Sequence, residues 1–464
     1  MSWGIGNILH RRVLQVISRD GRCFAVLLMF TAMAASTGAT AQAGADTGQS
    51  AAQHRDENGE MLSRRPAAIV GAISYNSDAN VDVRGGARTG GAYLQRIGLI
   101  ADADLDRLVR WRGATAHLSV HAIEGDGLSG LRVGNALTVS GIEAEPALRL
   151  FNLWVEQKLG ERLTARVGQF TAAQEFMISP TASLFINSTF GWPGSFAFDL
   201  PSGGPAYPLA GQGVRLGFTA DAKTVFRVAI FSGDPAGQGV GDPQRRDRHG
   251  FNGFRLKGKP FAIAEVGRSA GGPDPGWSLL IGGWVHFDRF DDLRFDSEGR
   301  PLALPSSTGQ PFRHDRNYAV YAVAERRLWR SGARSVQGFA RISASPTDRN
   351  AIDLYVDGGA SFSSMFQARP DDVFGIGFAI ARVSPQLKSL ARDGAALTGP
   401  LSPPPAFEGV IEASYQLKIN TRFYVQPNVQ LIVHPLGGLL TDGPGVDPLP
   451  RSAIVLGLRA SVRL

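Results

Sequence analysis

The last twelve residues of the chain, Ala453 to Leu464, alternate between apolar and polar side chains. The even-numbered positions of this segment include Ile454, Leu456, Leu458, Ala460, Val462 and Leu464. The odd-numbered positions include Arg459, Ser461 and Arg463. Successive side chains of a β-strand point to opposite faces, so the segment offers one apolar face and one polar face. Its alternating part is about ten residues long, which is the length of a strand that crosses a membrane. The segment therefore predicts a strand of an outer-membrane barrel.

The amino-terminal residues have the pattern of a secretory signal peptide. Basic residues, an apolar run and small residues follow one another as Arg11, Arg12, Arg19 and Arg22, then Phe24–Ala35, then Ala41–Ala43. We expect cleavage after Ala43, so residues 1–43 form the leader. The only cysteine, Cys23, lies in this leader, which leaves no thiol chemistry to the exported chain. The leader has a net charge of +3, so its removal lowers the formal charge of the chain from +7 to +4. A net charge of +4 on a chain of this length does not indicate nucleic-acid binding.

Beyond the leader, the composition favours strands over membrane helices. The chain has 57 Gly and 27 Pro, and no later apolar run approaches the roughly 18 residues that a membrane helix needs. A chain that crosses a bilayer with strands must close them into a barrel, because unpaired backbone groups find no water there. Residues 44–67 are polar and aperiodic, which indicates a flexible periplasmic segment. Residues 68–464 predict one all-β domain, a closed antiparallel transmembrane β-barrel of about sixteen strands with long extracellular loops and short periplasmic turns.

The clearest alternating segments lie early in this region. In the segment Ile97–Asp106, every second residue is apolar, and the positions between them include three acids, Asp102, Asp104 and Asp106. We expect these acids to face the lumen, because charged side chains are unfavourable in contact with lipid. Residues 114–122 alternate Ala, Leu and Val with Thr, His and Ser in the same way. Further predicted strands are Leu163–Val167, Val214–Thr219, Trp277–Phe287, Tyr318–Leu328, Val336–Ala344, Val373–Val383, Phe407–Leu417 and Phe423–Val433.

The predicted connections are uneven in length. Three are long, Thr171–Gln212, Gly233–Pro260 and Arg289–Asn317, while others contain only a few polar residues. The first is about forty residues long, too long for passive linkage in a compact fold, and we predict that it is a loop that constricts the pore. Short helices are expected after Ser179-Pro180 in this loop and after Ser384-Pro385 in a later one.

No motif in the sequence points to catalysis. Gly253–Pro260 resembles a phosphate-binding loop, but a proline replaces the magnesium-contacting hydroxyl residue and a strand is predicted to follow. His117 and His121 lie about 13 Å apart along a strand, too far to share one metal ion. The acid-rich segments Gly233–Gly237 and Phe287–Asp296 lack EF-hand spacing and fit ordinary turn chemistry. We therefore predict no enzyme, no metal site and no cofactor.

The polar parity of the predicted strands collects residue types that suit a sugar. The predicted substrate-binding and pore-lining residues are Trp154, Glu156, Arg166, Arg215, Arg227, Glu265, Asp102 and Asp104, with Asn152, Trp284 and His286 on the same presumed wall. Hydroxyls need donors and acceptors, which Arg and carboxylate supply, and the C–H faces of a pyranose pack on aromatic rings. We take Trp154, Glu156 and Arg166 as the leading contacts. The alternative is a generic solvated lumen whose charges pair only with each other.

Several segments together resemble the carbohydrate-selective porins of the OprB type. They are GGARTGGAYL (85–94), LFNLWVEQKLG (150–160), RVGQFTAAQEF (166–176), LFINSTFGWP (184–193), GGPAYPLA (203–210), FSGDPAG (231–237), FAIAEVG (261–267), GGWVHFDRFDD (282–292) and PNVQLIVHP (427–435). The resemblance implies an outer-membrane barrel that admits monosaccharides and other small polyols, with arginine and glutamate lining a narrowed channel. The sequence differs from the pattern of these porins in two places. It lacks the Gly-Asp-Trp-Gly-Gly-like segment that many of them carry before the first strand, and its terminal residue is Leu464 where outer-membrane barrels typically have Phe.

These observations predict a passive, sugar-preferring pore in the outer membrane of a Gram-negative bacterium. Expected partners are small sugars such as glucose, outer-membrane lipid and, through the C-terminal strand, the barrel-insertion machinery. Nucleic acid is not expected, and the sequence leaves the oligomeric state open with a monomer preferred. One alternative is a general or anion-preferring porin, which the +4 charge and the lumen arginines favour. A second alternative is a secreted β-rich glycan-binding protein.

Overall fold

Hydrogen bonds between neighbouring strands close sixteen antiparallel strands into a barrel in the computed structural model. The structure describes residues 67–251, 256–272, 275–398, 405–437 and 450–464. The predicted fold class is confirmed. The predicted signal peptide and almost all of the predicted flexible segment over 44–67 lie outside the described residues.

The barrel strands follow one another around the wall in chain order. They are β1 Ile69–Gly86, β2 Gly90–Asp104, β3 Ala114–Gly125, β4 Ala147–Leu159, β5 Leu163–Phe170, β6 Gly211–Thr219, β7 Thr224–Phe231, β8 Phe261–Ser269, β9 Trp277–His286, β12 Asn317–Ser331, β13 Arg334–Ala344, β14 Ile352–Ser363, β15 Val373–Val383, β16 Phe407–Lys418, β17 Phe423–Val433 and β18 Arg451–Arg463. Two further strands, β10 Phe290–Asp296 and β11 Pro311–His314, form a separate hairpin between β9 and β12. Strand β1 pairs with both β2 and β18, which closes the cylinder.

The period-two pattern sorts side chains between the two faces of the wall. In the last strand, Leu458 is 49% exposed on the outer surface while Ser461 is 3% exposed. Asp78 of β1 lies opposite Arg459 of β18, and two hydrogen bonds of 2.7 Å join the guanidinium to the carboxylate across the seam. Apolar side chains therefore face the lipid, and charged side chains face inward where partners can neutralise them.

The two ends of the barrel differ in the length of their connections. The end that carries both Ile69 and Arg463 has short turns, such as 160–162, 220–223, 332–333 and 419–422. The other end carries the long connections 126–146, 171–210, 232–260, 287–316, 384–406 and 434–450. Short turns are periplasmic and long loops extracellular in bacterial barrels, which orients the molecule in the outer membrane.

Short α-helices lie in the connections. They are α1 Leu105–Val109, α2 Gly194–Asp199, α3 Pro243–Arg246 and α4 Pro385–Thr398. The helix predicted after Ser384-Pro385 is confirmed, since the Ser384 hydroxyl accepts a hydrogen bond of 3.1 Å from the Gln386 amide at its start. The part of the chain that the structure describes contains no helix that is both long and apolar enough to cross a membrane.

One predicted strand boundary is wrong. The alternating segment from Ile97 was expected to run to Asp106, but β2 ends at Asp104 and α1 begins at Leu105. The Asp104 carboxylate accepts hydrogen bonds from the amides of Asp106 and Arg107, which is the geometry of a helix N-cap. Capping therefore overrides the alternation, and Asp106 lies in the first turn of a helix.

The hydrophobic core lies against the inner face of the wall. The loop predicted over Thr171–Gln212 ends two residues earlier, because β6 begins at Gly211 and includes Gln212. We call residues 171–210, the connection between β5 and β6, loop 171–210. Its aromatic residues pack on inward-facing aromatics of several strands: Phe196 on Trp284 and Tyr321, and Phe185 and Phe190 on Phe339. Phe190 and Phe196 are 2% and 0% exposed. Burial of these rings holds the loop against the neighbouring strands β9, β12 and β13.

Close strand contact explains the glycine at position 168. Gly168 of β5 has a φ of +142°, and a Cβ there would lie 2.2 Å from the Leu153 carbonyl oxygen and 2.6 Å from the Trp154 Cα. We expect Gly168→Ala to destabilise the barrel by about 1–3 kcal/mol, through overpacking and backbone strain.

The measurement is the midpoint of urea-induced unfolding in detergent, followed by intrinsic fluorescence. Gly71→Ala is the matched control, because a Cβ at Gly71 of β1 would meet its nearest atom at 3.7 Å. Equal midpoints for the two variants would contradict the assigned register of β4 and β5.

Candidate functional site

The pairing register brings several predicted site residues into one row across the inner wall. Asp102 of β2 lies opposite His117 of β3, which lies opposite Trp154 of β4. Glu156 of β4 lies opposite Arg166 of β5, and Arg166 opposite Arg215 of β6. Together with Glu175, which contacts the same arginines, we call these residues the polar ladder: Asp102, His117, Trp154, Glu156, Arg166, Glu175 and Arg215.

Two arginines and two glutamates at one end of the polar ladder form a closed ring of ion pairs. Glu156 accepts hydrogen bonds from Arg166 at 3.0 Å and from Arg215 at 2.6 Å. Glu175 pairs with the Nη1 of Arg166 and accepts a 3.1 Å bond from the Nε of Arg215. Arg215 also donates to the Thr164 hydroxyl at 2.7 Å. Each arginine therefore contacts both carboxylates, and the ring is electrically neutral.

Trp154 links this ring of ion pairs to a histidine and an acid. The Arg166 guanidinium lies 3.6 Å from the centroid of the Trp154 ring, a close cation–π contact. The His117 ring stacks on the same indole at 4.9 Å, with an angle of 10° between the planes. His117 Nδ1 is 2.7 Å from the Asp102 carboxylate. An unbroken series of hydrogen-bond, stacking and cation–π contacts therefore connects Asp102 with Arg215.

The ion pairs are shielded from water to different degrees. The side chains of Arg166, Arg215 and Glu175 are about a tenth exposed or less, while that of Glu156 is 19% exposed and that of Asp102 is 59% exposed. Removal of one partner of a buried pair commonly costs about 3–5 kcal/mol, because the remaining charge stays desolvated. The ring is therefore a unit in which each charge depends on the others. Glu156 is the most exposed member of the ring, and Asp102 is more exposed still at the other end of the polar ladder.

Two further predicted residues form a second ion pair along the wall. Arg227 of β7 donates to Glu265 of β8 at 3.3 Å, and the Arg227 side chain is 36% exposed. Glu265 is nearly buried and also accepts bonds from the Met177 amide at 2.8 Å and the Tyr321 hydroxyl at 3.1 Å. Its main contacts are thus with loop 171–210 and a neighbouring strand. Asp104, by contrast, caps α1 at the periplasmic end and does not join the polar ladder.

The remaining polar residues of the presumed wall have separate contacts. Asn152 donates to Gln174 at 3.2 Å, and His286 Nε2 lies 2.8 Å from the Gly233 carbonyl oxygen. Trp284 is 3% exposed, and among the described residues its indole N–H has no hydrogen-bond partner. These three side chains pack loops against the wall.

Several inward-facing carboxylates hold loop 171–210 by its backbone. Glu412 of β16 accepts bonds from the amides of Ile186 at 2.7 Å and Asn187 at 2.9 Å. Glu325 of β12 accepts from the Thr181 amide at 3.0 Å. Backbone N–H groups buried inside a barrel need such acceptors, since no neighbouring strand supplies them.

The sequence reasoning missed several charged residues of the inner wall. Arg341 of β13 pairs with Asp357 of β14, and both are at most 2% exposed. Asp357 also accepts from the Tyr355 hydroxyl at 2.9 Å. Parity within β13, β14 and β16 could have found Arg341, Asp357 and Glu412. Glu175 lies in a connection without alternation, so no period pointed to it.

A partly buried acid lies in the connection 126–146. Glu143 accepts hydrogen bonds from the Ser129 amide at 3.1 Å and the Ser129 hydroxyl at 2.9 Å. Burial raises the pKa of Glu143 from its ordinary 4.5 to about 7, and the Ser129 bonds only partly oppose that rise. This carboxyl therefore makes the packing of the connection sensitive to pH.

A closed sixteen-stranded barrel with an apolar outer surface, long loops at one end and paired charges inside defines a porin of the outer membrane. The chain matches the sequence profile described as carbohydrate-selective porin, OprB family, over residues 88–464. It belongs to this family, and is therefore a carbohydrate porin of the Gram-negative outer membrane. Membership of this porin family indicates a channel. The alternative of a secreted glycan-binding protein does not fit this fold.

Known proteins agree with this assignment. The chain is similar to Porin B of Pseudomonas aeruginosa, with 23% identity over 411 residues that cover 83% of this chain and 86% of that protein. It is also similar to the solved high-pH structure of Pseudomonas putida OprB, with a TM-score of 0.75 and 21% identity over 86% of this chain and 94% of that one. The structural likeness supports the fold.

The raised pKa of Glu143 predicts a pH-dependent stability. An acid whose pKa is higher in the folded than in the unfolded chain binds a proton on folding, so stability falls as the pH rises from about 4.5 to about 7. Glu143→Gln keeps an acceptor and a donor for Ser129 without the charge. We expect this variant to be more stable than the parent at pH 8 by about 1–3 kcal/mol, at about 1.4 kcal/mol per pKa unit, and little changed at pH 4.

Urea midpoints of both proteins in detergent at the two pH values measure this difference. A loss of stability at pH 8, or an equal gain at both pH values, would contradict the proposed cost of ionising Glu143.

Proposed function

We propose that this porin passes uncharged monosaccharides, glucose among them, and small polyols by facilitated diffusion along the polar ladder. The observation that carries the proposal is the neutral ring in which Arg166 and Arg215 each contact Glu156 and Glu175. A wall of paired charges presents many hydrogen-bond donors and acceptors with little net field. Such a wall suits a solute that carries hydroxyl groups and no charge.

The occupied faces of the Trp154 ring refine this role. His117 and Arg166 both pack on the indole ring of Trp154. In our proposal a pyranose therefore binds through its hydroxyl groups and does not stack on this ring. In our proposal the sugar hydroxyls meet the exposed oxygens of Glu156 and Asp102, and Trp154 orients the Arg166 guanidinium. Arg227, more than a third exposed, offers a further donor beside Glu265.

Loop 171–210 narrows the channel in this proposal. Its backbone is bound by Glu265, Glu325 and Glu412, which belong to strands in different parts of the wall. A loop fixed at several points reduces the free cross-section and brings Glu175 to the polar ladder. Solutes then pass close to the paired charges.

Passage requires weak binding. A site that draws a sugar in and still releases it quickly has a Kd of about 1 mM, near −4 kcal/mol. No energy source is needed for such diffusion. The C-terminal strand β18, which ends at Arg463, is the proposed contact for the barrel-insertion machinery.

An anion-preferring porin is the second candidate, because the exported chain is expected to carry a formal charge of +4. The pairing of Arg166, Arg215 and Arg227 with glutamates argues against a strong anion preference. Reversal potentials in a salt gradient separate the two candidates, since a sugar channel shows only a modest ion preference together with current block by glucose.

Arg166→Ala tests the polar ladder. The change leaves Glu156 and Glu175 with one arginine and uncovers Trp154, so we expect the apparent affinity for glucose to fall about 5- to 50-fold, which corresponds to about 1–2.3 kcal/mol. Conductance of small ions should change less than 2-fold, an order-of-magnitude expectation for unchanged barrel dimensions.

Glucose uptake by proteoliposomes and glucose block of single channels measure the two effects. Arg369→Ala is the control, because Arg369 pairs with Asp372 in a periplasmic turn outside the polar ladder. Arg166→Lys should restore little, since an ammonium group cannot contact both carboxylates through a planar fork. Unchanged uptake in Arg166→Ala would remove the polar ladder from the sugar path.

A further inference from the structure

Three potential metal ligands meet on the extracellular side, away from the polar ladder. Asp292 lies in β10, His314 in β11 and Asp348 in the connection 345–351 between β13 and β14. Their ligand atoms all lie within 4.8 Å of one another. His314 Nε2 is 3.0 Å from Asp292 Oδ2 and 3.7 Å from Asp348 Oδ2. Three separate stretches of chain therefore supply one imidazole nitrogen and two carboxylate oxygens to one place.

The surrounding hydrogen bonds position these ligand atoms. Asp292 is 7% exposed, and its Oδ1 accepts bonds from the amides of Arg294 at 2.8 Å and Phe295 at 2.7 Å, which leaves Oδ2 directed at His314. The Asp348 carbonyl accepts a 2.7 Å bond from the Leu293 amide, so the two segments are also joined by their backbones. Oriented carboxylates of this kind are common around metal ligands.

Arg349 fixes the second carboxylate. Its Nε and Nη2 donate to the two oxygens of Asp348 at 2.7 and 2.9 Å. Each carboxylate oxygen has two lone pairs, so Asp348 Oδ2 keeps one for an ion. The guanidinium also offsets one of the two negative charges, which lowers the repulsion between Asp292 and Asp348 before an ion binds.

We propose that Asp292, His314 and Asp348 bind one Zn²⁺ or a similar divalent transition-metal ion. Bonds of about 2.0–2.2 Å to nitrogen and oxygen place neighbouring ligands of such an ion roughly 3–3.5 Å apart. The observed separations of 3.0 and 3.7 Å require only small side-chain rotations. Calcium, in contrast, takes about 6–8 oxygen ligands and has little affinity for imidazole. A water molecule completes the coordination of the proposed ion.

No pattern in the amino-acid sequence predicts this site. Within the acid-rich segment Phe287–Asp296, Asp292 was attributed to turn chemistry, and His314 and Asp348 are distant in sequence. The hairpin of β10 and β11 brings the first two together, and the connection 345–351 supplies the third. A bound ion would tie the hairpin to this connection at the outer rim, a role independent of the sugar path.

Cobalt and zinc titrations of the untagged protein in detergent test the proposal. After treatment with a chelator and buffer exchange at pH 7.5, we expect one equivalent of Zn²⁺ by calorimetry and visible absorption bands on addition of Co²⁺. His314→Gln and Asp348→Asn should each weaken binding at least 10-fold. His249→Gln, at an exposed histidine of the connection 232–260 on the same side, should bind as the parent does.

Heat-modifiable migration on gels and unchanged glucose uptake show that the variants are folded. Zinc should also raise the unfolding temperature of the parent and not that of His314→Gln. Absence of stoichiometric binding in the parent, or equal binding in His314→Gln, would overturn the proposal. In that case the three side chains only contact one another, as His314 and Asp292 do through their hydrogen bond, and a chelator should leave the unfolding temperature of the parent unchanged.

Discussion

The need to satisfy backbone hydrogen bonds inside a closed barrel governs the inner wall of this porin. Loop 171–210 lies against that wall without pairing to a strand, so its buried amides require other acceptors. Carboxylates of Glu265, Glu325 and Glu412 provide them. The same carboxylates are themselves neutralised or bonded, as Glu265 is by Arg227 and Tyr321. Much of the interior charge is therefore used to hold the chain in place, and within the polar ladder the carboxylates of Glu156 and Asp102 remain next to solvent.

The strands could be predicted from the sequence because alternation has a single physical cause, the contact of every second side chain with lipid. It explains why Leu458 lies on the outer face and Ser461 on the inner face of the same strand. The alternation stops predicting the structure where another interaction is stronger, as in the helix cap at Asp104. The pairing of Glu156 with Arg166 depends on the register between β4 and β5, and the sequence pattern alone does not determine that register. Glu175 could not be predicted at all, because a long loop has no period and its path depends on which side chains it meets inside the barrel.

Neutral pairing connects the structure with the family assignment. A carbohydrate carries no charge, and a wall in which each arginine of the polar ladder contacts two glutamates offers hydrogen bonds without a strong preference for either sign of ion. The extracellular cluster around His314 follows the same physical rule in another setting, since Arg349 pairs with Asp348 and so offsets part of the repulsion between two close carboxylates.

A disulfide between the loop and the wall tests the central claim most directly, namely that loop 171–210 packs against the inner face of the barrel. The hydroxyls of Ser195 in α2 and Ser343 in β13 are 2.9 Å apart, so cysteines at these two positions would hold their sulfur atoms next to each other, and small side-chain rotations would bring them to the S–S bond length of about 2.05 Å. The double variant Ser195→Cys with Ser343→Cys should form this bond under mild oxidation, as detected by mass spectrometry of non-reduced peptides. The control pairs Ser195→Cys with Ile342→Cys, whose side chain is 47% exposed on the outer face, and should remain reduced. Failure of the first pair to cross-link in the folded protein, or equal cross-linking of both pairs, would contradict the inward packing of the loop.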